Sequence, residues 1–291
     1  MKQETRKAIE EKRQLIRSGA QRPKMGEQIK MEAFDAVTWQ AALILEGKRG
    51  VITRSQTKLD KAQGADTGFV NRGLTLSSAD EARPFVGHNW TACPRATKAC
   101  SLVCVGSQTG QGAFPGSKIA RIGRTLAMLA DAVRFNALLD YEIESERVRA
   151  SVFGYKLAFR FNVASDHWEM ARKTAIRNPM VTFYDYSAIV EAVTMARDVR
   201  RVYSRKNGIK SDLTARAMVK DGYGVSVVFD TPKGEALPAT WEGAPVIDGD
   251  KHDLWFLQAP KDGAFVVGLR VKGTKKQKKA AIASGFAVKV G

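Results

Sequence analysis

From residue 155 onward the chain alternates short apolar strands with amphipathic helices, and no other feature limits its fold as strongly. Tyr155–Val163 places Leu157, Phe159 and Phe161 on one side and Lys156, Arg160 and Asn162 on the other, which is the two-residue period of a strand. Trp168–Arg177 then shows helical spacing and stops at Asn178-Pro179. The pattern repeats with a strand at Met180–Tyr186, a helix at Ser187–Ala196 with Ser187 as N-cap, and a strand at Arg200–Ser204. A helix at Asp212–Lys220, ending by Gly222, and a strand at Gly224–Phe229 follow. Two last strands are expected at Leu254–Leu257 and Ala264–Val271. Alternation of this kind predicts a parallel sheet. The expected fold is α/β, a TIM-barrel-like or incomplete βα barrel preceded by an N-terminal helical segment.

In such a barrel the carboxyl ends of the strands carry the site. Polar residues gather at those ends: Asn162, Ser165 and Asp166, then Asp185, then Ser204, Arg205 and Asn207, then Asp230. Turn formation explains any single one of them. As a set they make Asp166, Asp185, Asn162 and Ser204 the candidate catalytic residues, with Asp166 as a base or an amine-binding group. His167 is a possible acid or base beside them.

Residues 1–50 read as a basic helical segment and 51–291 as the α/β domain. Residues 1–20 have the pattern of an exposed amphipathic helix ending near Gly19 and Pro23. A second helix is expected over 31–46, with Phe34, Val37, Trp39, Leu43 and Leu45. Short strands are expected at Val51–Thr53 and Gly73–Ser77. One long helix is expected from Lys118 toward Arg147, carried by Ile119, Ile122, Leu126, Leu129 and Val133.

The three cysteines of the chain, Cys93, Cys100 and Cys104, fall in one C-x6-C-x3-C stretch. Thiolates this close together suit a soft metal or an iron–sulfur cluster. Three ligands would leave one iron of a cluster open for substrate or S-adenosylmethionine. A Cys₃His zinc site using His88 is the alternative, and buried thiols without metal are the bland one. The spacing is neither the C-x3-C-x2-C of radical S-adenosylmethionine enzymes nor the paired C-x2-C of zinc knuckles, so it points to a metal without choosing one. Next comes a glycine-rich stretch with Gly106, Gly110 and Gly112, and then Lys118, Arg121 and Arg124 in the first turns of the long helix. Cations there oppose the helix dipole unless an anion is bound. These six residues are therefore a candidate site for an anionic cofactor group, with a surface turn as the alternative. The segment Val246–Asp253, with Asp248, Asp250 and His252, reads either as a divalent-cation site or as an acidic hairpin turn.

A net charge of +17 points to a polyanionic partner, nucleic acid first. Basic residues cluster at 1–30, 197–210 and 270–279. Trp90, Trp168, Trp241 and Trp255 could stack on bases or serve the core. No apolar run reaches membrane-spanning length and the start has no signal-peptide core, so no membrane partner and a cytoplasmic location are expected. Reduced thiols follow from that location.

Several segments together resemble the gene product 88 family of bacteriophage and prophage proteins. They are Cys93-Pro94 with Cys100, Cys104 and the glycines behind them, the Arg-rich helix from Lys118, Arg160-Phe161-Asn162 with Ser165-Asp166 and Trp168-Glu169, and Phe183–Tyr186. Tyr203–Arg205, Val225–Phe229, Val246–Asp250 and Gly268–Gly273 complete the set. The resemblance covers roughly residues 70–290. It implies a phage context, with the host cytoplasm as location, and carries no activity with it. The reading is a phage metalloprotein that binds an iron–sulfur cluster and acts on nucleic acid or nucleotides, for instance by base modification. Two alternatives stand beside it: a zinc-stabilised nucleic-acid-binding protein without catalysis, and a transglycosylase-like base-exchange enzyme with an Asp nucleophile.

Overall fold

Strand β2 (Lys156–Arg160) shows how the sheet is built. Its Leu157 and Phe159 enter one core and Ala158 enters another on the opposite face. The structure is a computed structural model that describes all residues except 55–58, 60–63, 196 and 291. The first helices are α1 (Gln3–Arg17), α2 (Met25–Gln28) and α3 (Ala33–Leu45). Strand β1 (Phe69–Gly73) follows, then α4 (Arg83–Val86), α5 (Lys98–Leu102), α6 (Pro115–Ala130) and α7 (Ala132–Val152). After β2 come α8 (Trp168–Arg177), β3 (Thr182–Ser187), α9 (Val190–Thr194), β4 (Arg200–Ser204), α10 (Ile209–Lys220) and β5 (Val225–Phe229). The chain closes with β6 (Thr240–Trp241), β7 (Ala244–Asp248), β8 (Val266–Arg270), α11 (Lys275–Ala283) and β9 (Ala287–Val288).

These strands form one mixed sheet in the order β1-β2-β3-β4-β5-β8-β7-β6, with β9 also paired to β5. Every pairing is parallel except the β6–β7 hairpin. The α/β class holds, but the sheet does not close, since β1 and β6 are its two ends. On the β6 side the sheet ends in that antiparallel hairpin and not in a further parallel strand. Leu254–Leu257, expected as a strand, is a 3₁₀ turn at Trp255–Leu257, and its Trp255 packs on Phe265. A four-residue apolar run has too few periods to separate the two. The segment after β7 is likewise no hairpin turn, because β7 runs parallel to β8.

One edge of β5 is shared. Tyr203 of β4 pairs with Val225 at its start, while Ala287 of β9 pairs with Val228 at its end. The chain after β4 is therefore free to diverge from the sheet, and a gap opens at the carboxyl end between β4 and β5. Gaps of this kind are where open α/β sheets take ligands.

Helix α1 is not a solvated basic helix. Its Ile9 and Ile16 are buried in the core that contains Val37, Leu157 and Phe159. Arg13 and Arg17 both pair with Glu46, each at 2.7 Å. The expected long helix is two, α6 and α7, broken at Asp131. The Asp131 carboxylate caps the second by accepting from the Arg134 amide at 3.0 Å, a role for which a short acidic side chain is better suited than for a helix interior. The strand expected at Gly73–Ser77 lies earlier, at Phe69–Gly73. Ser187 ends β3 and is not the cap of α9, whose cap position is Ile189. The expected end of that helix, Ala196, lies outside the described residues. Among the described residues no helix is long and apolar enough to cross a membrane.

Candidate functional site

Loops from separate parts of the chain are tied together at the carboxyl end of the sheet. Thr97 caps α5 by accepting from the Cys100 amide at 3.1 Å. Its hydroxyl also bonds to Asn207 Oδ1, in the loop after β4. The Asp166 amide donates to the Ala92 carbonyl at 2.8 Å, and the Cys93 thiol donates to the Ala164 carbonyl at 3.5 Å. These bonds fix the cysteine stretch to the loop after β2. Behind Cys104 the chain lies so close to that loop that a Cβ on Gly106 would sit 2.2 Å from Ala164 Cβ. A Cβ on Gly112 would sit 2.6 Å from the Gly106 carbonyl oxygen. Gly106 and Gly112 are thus close-packing glycines, and Gly110 adopts φ +55° in open space.

The outcome is that Cys93, Cys100 and Cys104 all line one cavity of about 180 Å³. That is roughly ten times the space one water needs, so this is a ligand-sized cavity and not a packing defect. Asn162, Asp166 and Ser204 line it too, as expected, together with Arg160, Tyr186 and Lys206. Asp185 does not. It is fully buried behind Asn162, whose amide donates to it, and its other oxygen accepts from the Tyr186 amide at 2.9 Å. Asn162 is held on its other side as well, since its Oδ1 accepts from Ser165 Oγ and from the His167 amide, both at 2.9 Å.

Burial dominates the electrostatics. It pushes the Cys93 thiol up to about 12 and the Asp185 carboxyl up to about 7. It also raises Asp166, although Ser187 Oγ donates to that carboxylate at 2.7 Å and the Ala188 amide at 3.0 Å. Lys206 is different. Burial works to remove its proton, but the acidic groups around it, Cys100, Asp166, Cys93 and Cys104, outweigh burial and hold the proton on. Its Nζ donates to Ser204 Oγ at 2.9 Å, and among the described residues it has no ion-pair partner. Of the other cavity cations, Arg160 pairs with Asp253 at 2.9 Å, Arg205 with Asp212 at 2.7 Å, Arg270 with Asp248 at 3.0 Å and Lys272 with Asp250 at 2.9 Å, while Arg95 has no ion pair among the described residues. Lys206 was missed as a site residue because the basic run 197–210 reads as surface charge. Its position, two residues past the end of β4, was the available signal.

The expected anion site is not assembled. Arg121 is 2% exposed, forms two hydrogen bonds to Glu81 at 2.6 and 2.7 Å, and donates to the Gly112 carbonyl at 2.6 Å. Burial pulls Arg124 down to about 10, and its guanidinium reaches the Thr75 carbonyl at 3.5 Å. Lys118 is exposed. The cations that oppose the helix dipole are answered by Glu81 and carbonyls of the protein itself. Asp248 and Asp250 are likewise taken, by Arg270 at 3.0 and 3.4 Å, and Lys272 adds a contact to Asp250 at 2.9 Å. His167 stacks near Trp90 and lies outside the cavity lining, and Asp230 caps the chain end by accepting from the Val290 amide.

Among the described residues no group of three His, Cys, Asp or Glu side chains is set around the position of a single ion. His88 is exposed and does not line the cavity, so the Cys₃His arrangement is not brought together. Cys93, Cys100 and Cys104 line a single cavity, so they are the residues that would hold a cluster there.

An open, mostly parallel α/β sheet with a thiol-lined cavity at its carboxyl edge defines the class of this protein. Within that class the chain belongs to the gene product 88 family, whose model matches residues 50–289. No curated protein and no solved structure matches it.

Proposed function

We propose that this chain is an iron–sulfur protein of phage type that acts on nucleic acid or nucleotides at the thiol-lined cavity. The observation that carries the proposal is Lys206. Lys206 lines the cavity with the three cysteines and Asp166, has no salt bridge among the described residues, and is held in its charged form by negative charge on those groups. Thiolates bound to a cluster would supply that negative charge permanently.

Cys93, Cys100 and Cys104 would hold the cluster, which would supply an open iron for redox or S-adenosylmethionine-dependent chemistry. The rest is done by side chains already in place. Cluster uptake must displace the Cys93 proton, and Lys206 favours that loss by its charge. Ser204 Oγ orients Lys206. Asn162, locked from two sides, presents a fixed amide to the substrate, and Asp166 would accept a hydrogen bond from a substrate amine. Asp185 acts through Asn162 as a positioning residue. The base-exchange alternative is supported less, because both oxygens of Asp166 already accept hydrogen bonds and Asp185 lies behind Asn162.

The test is the iron and acid-labile sulfide content of protein purified and reconstituted without oxygen, with Cys100→Ala beside the wild type. Iron and sulfide in the wild type, lost in the variant, are expected. Zinc without sulfide would move the protein to the non-catalytic alternative. Absence of iron and sulfide after reconstitution would refute the proposal.

A further inference from the structure

The basic C-terminal helix is part of the wall behind the cysteines. Ala281 and Phe286 share a small core with Ala99 and Val103, and Cys100 packs against it. Gln277 Nε2 donates to the Leu102 carbonyl at 3.0 Å, so α11 rests directly on α5. Helix α11 carries Lys275, Lys276, Lys278 and Lys279 in its first turns, capped by Thr274. None of these four lysines has an acidic partner within ion-pair distance among the described residues.

Between α10 and α11 runs an open groove of about 1080 Å³. Lys275, Lys278, Lys279 and Lys289 line one flank of it. Its single carboxylate, Asp212, is taken by Arg205 and Arg216 at 2.7 and 2.9 Å. The α10 flank, which also carries Arg205, Asp212 and Arg216, leaves two apolar side chains uncovered, Ile209 81% and Leu213 61% exposed. Arg205 lines both this groove and the thiol cavity, so the two are adjacent.

We infer that this groove is a track for single-stranded nucleic acid, which leads a strand past the mouth of the thiol cavity. The inference rests on the proposed function for its meaning, and it narrows that reading from nucleotides in general to a polymer. A row of unpaired lysines fits the regular charge of a phosphate backbone. Uncovered isoleucine and leucine facing that row fit bases, which only a single strand turns outward. A free nucleotide needs neither the length of the groove nor its lysines.

The test is fluorescence anisotropy of labelled dT12 and rU12 with the full chain over a series of KCl concentrations. The variants are the triple Lys275→Ala/Lys278→Ala/Lys279→Ala and the double Ile209→Ser/Leu213→Ser. Each lysine that meets a phosphate of a single strand adds about 0.7 to the salt slope, so the triple variant should lose about 2 from it. The double variant should weaken binding several-fold with the slope unchanged. Both should keep the wild-type melting temperature and the wild-type iron content. Tighter binding of one of the two oligonucleotides would tell DNA from RNA within the same inference. An unchanged Kd and slope in the triple variant would overturn the track. So would a 12-base-pair duplex that binds as tightly as the strand. Iron-free wild-type protein that still shows both effects would refute the proposed cluster and leave the track standing.

Discussion

Replacing Arg121 by Met should unfold the region behind the cysteines without touching a ligand. Methionine keeps most of the aliphatic bulk and removes a guanidinium that makes three short hydrogen bonds, two to Glu81 and one to the Gly112 carbonyl. Glu81 would then stay enclosed with only the amide and hydroxyl of Ser78 as donors, both at 3.0 Å. Breaking a buried ion pair from one side costs about 3–5 kcal/mol, and the freed Gly112 carbonyl sits within the same network, so its cost does not simply add. At roughly 2–4 °C per kcal/mol the melting temperature should fall by about 10 °C. The loss should depend on pH with a definite sign. Burial would raise the Glu81 carboxyl, but the hydrogen bonds and charge of Arg121 outweigh it and hold it below its ordinary 4.5. A depressed carboxyl stabilises above its unfolded value and loses that contribution as pH falls through the folded one. In the variant the opposing guanidinium is gone and burial lifts the carboxyl, so the deficit is greatest at neutral pH and shrinks toward acid. Urea unfolding of wild type and variant at pH 7 and pH 5, with unchanged m-values, measures this. A deficit under about 1 kcal/mol at pH 7, against the 3–5 expected for a buried pair, would return Arg121 to the role of an anion-binding residue.

Gly106→Ala should cost about 1–3 kcal/mol by overpacking against Ala164 and should lower iron uptake, because the displaced chain carries Cys104. Gly110→Ala meets open space and should cost only the roughly 1 kcal/mol of a left-handed residue, with iron uptake intact; equal iron loss in both would show that Gly106 has no special contact. Asp185→Asn should flatten the stability profile between pH 4 and 8. With a folded value of about 7 against 3.8, the stabilisation from this carboxyl is present at low pH and lost as pH rises through about 7, at most ~4 kcal/mol. A variant with the same pH slope as wild type would show that Asp185 does not titrate there. His88→Ala should leave metal content unchanged, and loss of metal in that variant would bring back the Cys₃His site.

The central strands were legible because each is short, alternates cleanly and is bounded by turn residues; Arg200–Ser204 appears with the expected ends. Lys156–Arg160 also shows the expected division, with Leu157 and Phe159 away from Arg160. Closure was not legible, because it depends on which strands become neighbours, and β7 next to β8 is set by packing far from either. The gathering of polar strand ends was visible for Asn162, Asp166 and Ser204. The direction of a side chain was not: Asp185 and Tyr186 are adjacent in sequence, yet only the tyrosine lines the cavity. Arg121 was misread for a related reason. Its spacing on the helix was correct, but its partner Glu81 is forty positions away, and nothing local announces a pair at that distance.

The shared edge of β5 has a consequence for the order in which the molecule is made. Phe286, just ahead of β9, walls the cavity, and β9 closes the edge of β5 that β4 leaves open. Both lie more than 180 residues after the cysteines. A nascent chain can build the N-terminal helices, pair β1 with β2 and lay down β3 to β5 before these residues are made. It cannot finish the cavity. The cysteines therefore wait beside an unfinished wall until this later segment folds onto them.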